Sequence, residues 1–184
     1  MILMVEVKTL IDAKRLEYTG LFRISEIYDL IRNFFGPRGY LWFELRNREE
    51  VMPDGKHIWM TIQPSRTVND YLRTIVRLEI VMKGVKEKDI VVDGHKQKYQ
   101  QGHIKIEFSA IMNYDYRNKW EGNGFLFMMR TISDKFIRRD AMHESEDMCV
   151  RDCLQIEEEI RSYLNMSRFT LVSETHKMAP DKPA

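Results

Sequence analysis

The sequence lacks most features of small secreted proteins. It contains two cysteines in 184 residues, Cys149 and Cys153. Their four-residue spacing in a helical pattern puts both thiols on one face but too far apart for an easy disulfide. Both are therefore predicted to be reduced core residues. Residues 1–5 are apolar but carry no basic lead, so no signal peptide is expected. A cytoplasmic location is the expectation that follows.

Long hydrophobic runs and an excess of one charge are also missing. A membrane-spanning helix needs about 20 apolar residues, and no stretch approaches that length. The 29 basic and 28 acidic residues give a formal charge of +1, which argues against a strong overall attraction to nucleic acid. A basic segment with a Phe and Met face could touch an anionic membrane surface, although core packing explains the same pattern better.

Motifs for common chemistry are missing as well. There is no glycine-rich phosphate loop, no dinucleotide fingerprint after a strand and no nucleophile elbow. His143 and Glu144 begin a zinc-helix pattern, but no second histidine follows at the required spacing. The apolar surroundings expected for Cys149 and Cys153 argue against a nucleophilic thiol. The sequence predicts no metal, no cofactor and no catalytic residue, and it leaves the question of an enzymatic activity open.

The sequence does contain clear periodic patterns, beginning with its first 37 residues. Residues 2–9 and 16–22 have the extended pattern of two strands. A helix is predicted over 25–35, where apolar residues repeat every three or four positions. The pair Gly36 and Pro37 then ends that helix.

The middle of the chain alternates with a period of two. Strands are predicted over 40–46 and 57–63, joined through turn residues at 52–55. Two longer alternating runs, 71–83 and 104–112, each imply one buried and one wetter face. Together these runs predict a curved antiparallel β-sheet.

Helical spacing returns towards the end of the chain. Helices are predicted over 125–136 and 143–164, and residues 170–184 are predicted to be a disordered tail. No linker divides the rest, so residues 1–169 are expected to form one α+β domain. In this fold class one helix lies in the N-terminal half, and long C-terminal helices pack on the concave face of the sheet.

This order of elements resembles the helix-grip order of the START and Bet v 1-like superfamily over residues 14–166. In that superfamily a curved sheet grips the last helix over an internal cavity, and members bind lipids, sterols, hormones and polyketides. Three departures are visible: the run at 2–9 is extra, one helix follows the first strands where two short ones are common, and the predicted C-terminal helix is split near Asp140. The resemblance implies an apolar ligand or lipid, held without catalysis.

Eight residues are candidates for the wall of such a cavity because they lie on the inward face predicted for the sheet and the helices. They are Phe43, Met60, Val76, Leu78, Phe108, Ala110, Met129 and Phe136. The alternative is that the same side chains fill an ordinary core. A cavity and a filled core remain open at this point.

The outward face of the sheet carries a second hypothesis. If Leu41 and Phe43 face inward, together with Leu45, then Trp42 and Trp59 face outward. Tyr71 would join these two tryptophans in an aromatic patch with a charged rim. Such a patch is typical of an association surface for a second copy of the chain or another protein. The alternative is that the N-terminal strand or a loop covers it.

Overall fold

The computed structural model describes residues 6–69, 71–92, 95–114 and 139–177, with side chains for 7–69, 71–90, 96–114 and 142–166. The described part has the predicted α+β class, with an antiparallel sheet of six strands and two helices. The sheet is open and does not close into a barrel. The elements are β1 (Glu6–Phe22), α1 (Ile24–Phe35), β2 (Glu44–Met52), β3 (Gly55–Ile62), β4 (Ser65–Thr67), β5 (Leu72–Val92), β6 (His95–Tyr114) and α2 (Arg139–Lys177).

The strands lie in the order β1, β6, β5, β3 and β2, and β4 pairs with β5 beyond the end of β3. Every pairing is antiparallel. The long strands β5 and β6 occupy the centre, where Leu78 stands opposite Phe108 and Val76 opposite Ala110. All four of these side chains are fully buried. The inward face predicted for the two long strands is therefore confirmed.

Strand β1 is longer than predicted. Residues 2–9 and 16–22 were expected to form separate strands, but Glu6–Phe22 is one strand that pairs with β6 along its length. The polar residues between the two runs are accommodated by register shifts near Ile11, and Ala13 adopts a positive φ of 45°. Such bulges absorb extra residues without ending a strand. The prediction of two separate strands is therefore wrong.

The β5–β6 hairpin also extends further than the alternation indicates. Residues 86–92 pair with 95–101, beyond the end of β3, and β1 reaches only Gln100 and Gln101 of this ribbon. Lys86 and Lys88 are exposed there. Because this ribbon is held by backbone hydrogen bonds rather than by an apolar face, hydrophobic periodicity does not reveal it.

Helix α2 packs across the sheet against β1, β5 and β6. Its predicted apolar stripe is buried as expected; the stripe residues in the core cluster are Cys149, Cys153, Ile156, Ile160 and Leu164. The helix is longer than predicted and continues to Lys177, through residues 170–177 that were expected to be disordered. The helix predicted over 125–136 lies outside the described residues.

Two glycines hold the turn between β2 and β3 against β5. Gly55 has a φ of +140° and Gly84 a φ of +61°, values that favour glycine. A Cβ atom at position 55 would lie 2.7 Å from the carbonyl carbon of Gly84. The close backbone approach therefore requires glycine at position 55, and it places the β2–β3 hairpin at one edge of the sheet.

Candidate protein-interaction site

The predicted ligand-lining residues divide into three groups. Five of them are buried members of the main core cluster, which also contains the apolar stripe of α2. These five are Met60, Val76, Leu78, Phe108 and Ala110. Phe43 is 45% exposed and is not a member of the cluster. Met129 and Phe136 lie outside the described residues, so their placement stays a prediction.

One groove in the described part of the chain lies elsewhere. It is an open groove of about 430 Å³ along α1 and α2, lined by Leu30, Gln155, Glu158, Glu159, Ser162, Tyr163 and Met166. It contains none of the eight residues predicted to line a cavity. The groove is open rather than enclosed, so it would bury little of the surface of a small apolar ligand.

The orientation predicted for residues 41–45 is wrong. Trp42 packs edge-on against Tyr28 of α1, with ring centroids 5.2 Å apart, and contacts the main core cluster. The Tyr28 hydroxyl donates to Glu44 Oε2 at 3.2 Å. Because side chains alternate along an extended chain, Leu41 and Phe43 point away from α1.

This reversal exposes three large apolar side chains at the edge of the sheet. Leu41 is 60% exposed, Phe43 45% and Leu45 59%. We call these three residues the apolar edge stripe. Backbone bonds hold the segment in place, since Leu41 exchanges two with Ser65 and the Phe43 carbonyl accepts one from Gln63. The stripe is therefore a fixed surface next to β2. The alternation in the sequence groups these three residues on one face, but the prediction that this face is buried is wrong.

Trp59 faces away from the core, as predicted. Its neighbours in β3, Ile58 and Met60, are buried on the other side, while Trp59 itself is half-buried. The Arg48 guanidinium lies 5.9 Å from its ring centroid, and the His57 ring lies 6.0 Å away. Trp59 and Trp42 are therefore on opposite faces and do not form one aromatic patch.

Tyr71, the third residue predicted for the interface, is buried. Only 4% of it is exposed. It packs in a small second cluster with Leu72 and Met112, and its ring lies 6.1 Å from that of Tyr114. The outward alternation expected at the start of β5 fails because both Tyr71 and Leu72 are enclosed there.

The centre of the outer face is charged. Arg15 on β1 and Lys105 on β6 each lie 2.9 Å from the Glu107 carboxylate. The bond from Lys105 is the main reason why the pKa of Glu107 lies below its usual value. Arg15 and Glu107 form an ion pair across two neighbouring strands, and Lys105 joins it from the same strand as Glu107. Most of the exposed large apolar side chains of the sheet thus lie on the β2 side, and Val7 on β1 is an exception.

A buried polar cluster in the described part of the chain lies near the end of α1. The Tyr40 hydroxyl donates to Asp152 Oδ2 at 2.8 Å, and Arg38 Nε lies 3.6 Å from Asp152 Oδ1. Arg66 stacks over the Tyr40 ring at 4.9 Å. Burial, reinforced by the bond to Asp152, raises the pKa of Tyr40. Every polar group here has a protein partner, so the cluster is suited to joining α2 to the 38–40 segment.

The two cysteines are unsuited to nucleophilic chemistry. Burial raises the pKa of the Cys149 thiol to about 11 and that of Cys153 to about 12. A thiol attacks as the thiolate, and these groups are protonated at neutral pH. In the described ranges no three His, Cys, Asp or Glu side chains are grouped closely enough to hold a metal. The helices found there include none with the length and apolar character needed to cross a membrane.

Glu157 provides a test of the sheet-to-helix contact through pH. Burial alone would raise its pKa, but bonds from Lys14 and Arg161, each 2.5 Å away, outweigh burial and lower it below 4.5. A lowered folded-state pKa stabilises the fold above about pH 4.5, and this stabilisation is lost as the pH falls through the folded value.

We expect Glu157→Gln to lower the free energy of unfolding by about 1–2 kcal/mol at pH 7, and the difference from wild type to shrink below pH 4.5. Urea unfolding at stepwise lower pH measures both effects. Glu158→Gln, at an exposed neighbouring position, is the matched control and should change stability by less than about 0.5 kcal/mol. A difference that persists unchanged at pH 3 would show that Glu157 does not titrate as described.

Comparison of the chain with protein-family models, curated proteins and solved structures gives no match.

Proposed function

We propose that the protein is a non-catalytic interaction module that binds another protein surface through the apolar edge stripe. The observation that carries this proposal is the exposure of Leu41, Phe43 and Leu45 beside an edge strand. Single exposed apolar residues are common and need no explanation. Three within five residues, held by a fixed backbone, are typical of a contact surface.

The distribution of the other exposed apolar residues supports the same location. Of the nine large apolar side chains that are exposed in the described part of the chain, five lie between positions 41 and 52. Val51 is 80% exposed and Met52 40%. Val51 and Met52 lie at the opposite end of β2 from Leu45, and the residues between them are mostly charged. An apolar surface with an intervening polar band is suited to a protein partner rather than to a small ligand.

A carrier for a small apolar ligand is the less supported function. Phe108, Leu78 and Val76 are completely buried together with the α2 stripe, and such packing favours the filled-core alternative. The likeness to the helix-grip superfamily remains a prediction, and a ligand between the sheet and the C-terminal helices would need a cavity beyond the described packing.

Site-specific photo-crosslinking tests the interaction module. A benzophenone amino acid placed at Phe43 in the native host should yield a covalent adduct of defined mass, because the side chain already faces the partner. The same probe at Glu17, exposed on the opposite edge strand β1, is the control and should yield none. Equal labelling at both positions, or none at positions 41, 43 and 45, would refute the proposal.

A further inference from the structure

The free edge of β2 has an unusual distribution of charge. Its nine residues are exposed except for one intermediate position. Glu44 begins the strand, Arg46 and Arg48 follow, and Glu49 and Glu50 lie in the second half. Charges on an edge strand ordinarily prevent pairing. From Arg46 to Glu50 the basic residues precede the acidic ones, so an antiparallel copy of β2 would place basic residues opposite acidic ones there.

The backbone restricts how two copies could pair. Met52 pairs with Gly55 across a two-residue turn, and such a turn closes with a hydrogen bond between the residues that flank it. In an antiparallel ladder alternate residues turn their N–H and C=O groups to the same neighbour. The backbone N–H and C=O groups of residues 46, 48, 50 and 52 therefore point to β3. Those of residues 47, 49 and 51 point to the open edge. Only registers that pair odd positions with odd positions can form ladder hydrogen bonds.

We propose that β2 binds β2 of a second copy of the chain, antiparallel about a two-fold axis at Arg48. This inference rests on the proposed function, and it names the partner. In this register all nine residues of the strand overlap. Arg46 stands opposite Glu50 twice, and the β-bulge at Leu45 ends the regular alternation just beyond these pairs. The sheets of the two copies join into one continuous sheet.

The neighbouring permitted registers are less favourable. A shift that places Asn47 on the axis sets Arg46 opposite Arg48, which brings like charges together. The opposite shift sets Arg48 opposite Glu50 twice, but it places two Glu49 carboxylates on the axis, leaves Arg46 opposite Met52 and lets only residues 46–52 overlap instead of 44–52. In the proposed register the two Arg48 side chains meet on the axis. Each is already paired with its own Glu50 and lies over its own Trp59, which reduces their repulsion.

The apolar residues complete the contact. Pairing nine residues of backbone buries little surface compared with the area of about 1,000 Å² that a specific interface needs. The ladder ends where Glu44 lies opposite the exposed Met52 of the second copy, because Pro53 and Asp54 form the turn beyond it. The apolar edge stripe of one copy thus meets the exposed turn end of the other, and both ends of the interface become apolar by symmetry.

Exchange of the paired charges tests this arrangement. Sedimentation equilibrium should show a wild-type dimer that Arg46→Glu or Glu50→Arg weakens about tenfold, since each creates two like-charge contacts. The double variant re-forms both pairs but loses the Arg48–Glu50 pair within each copy, so it should dimerise more tightly than either single variant and less tightly than the wild type. Arg46 is exposed and forms no ion pair with the described residues, so its reversal should leave the thermal unfolding midpoint unchanged. Glu17→Arg, on the opposite edge, should not alter the dimer.

A single cysteine tests the register. Arg48→Cys places two thiols on the axis within disulfide reach and should give a dimer of twice the chain mass under mild oxidation. Cys149 and Cys153 are buried and will not contribute. Crosslinking through Glu49→Cys instead of Arg48→Cys would overturn the proposed axis.

Three outcomes would overturn the second copy as the partner. They are a wild-type monomer at every concentration, a dimer insensitive to the single reversals, and a double variant that does not recover. If the Phe43 probe then captures a different protein, the interaction module stands and only the self-pairing fails. If the probe also captures nothing, both proposals fail.

Discussion

Phe108→Ala is expected to lower the free energy of unfolding by about 4 kcal/mol, because the truncated ring leaves an unfilled volume in the core. Phe108 is fully buried at the centre of the sheet, opposite Leu78, and belongs to the same cluster as Ile156 of α2. Urea unfolding followed by circular dichroism measures the loss.

The size of this loss also separates the filled core from a ligand cavity. A side chain that lines an existing void loses fewer contacts on truncation, so its removal costs less. Leu154→Ala, at a position on α2 that is 38% exposed, is the control and should cost less than about 1 kcal/mol. A loss below about 1.5 kcal/mol for Phe108→Ala would favour the carrier function over the filled core.

Asp152→Ala is expected to cost about 3 kcal/mol because it removes the acceptor for a buried hydroxyl. Tyr40 and Asp152 are 6% and 7% exposed, and their bond joins α2 to the segment after α1. Without the carboxylate, the Tyr40 hydroxyl has no acceptor there and Arg38 loses its counter-ion. The same urea unfolding assay measures the loss.

A double-mutant cycle isolates this contact from the general effect of each substitution. Tyr40→Phe should cost less than Asp152→Ala, since it removes the hydroxyl together with its need for a partner. The coupling between Tyr40→Phe and Asp152→Ala should exceed about 0.5 kcal/mol. Asp147→Ala, exposed on the same helix, is the control. Additive losses would show that the bond contributes nothing beyond its two side chains.

The cluster around Asp152 was not predicted from the sequence. From the sequence, Asp152 is expected on a solvated acidic face of the last helix, because this helix contains many acidic residues. Its partner Tyr40 lies 112 positions away. A helical pattern gives the angular position of a side chain. It does not identify a hydrogen-bond partner that is distant in the sequence. The signal that the sequence offers is the position of Asp152 next to Cys153, at the rim of the apolar stripe.

Residues 41–45 show the same limit for a strand. Their period of two was recognised, and both sides of the alternation carry large apolar residues, with Trp42 on one side and Leu41 and Phe43 on the other. Hydrophobicity alone favoured burying the three-residue side. The contact with Tyr28 of α1 buried Trp42 instead, and a change of side reverses every residue of a strand at once.

The sequence by itself determined the α+β class, the ends of α1, the buried faces of β5 and β6, and the stripe of α2. Those features follow from local periodicity, in which apolar residues recur at the spacing of a strand or a helix. The tertiary structure decided which side of 41–45 faces the core, how far β1 and the β5–β6 hairpin extend, and where the apolar edge stripe lies. These depend on contacts between residues far apart in the chain, and such contacts leave no periodic signal in the sequence.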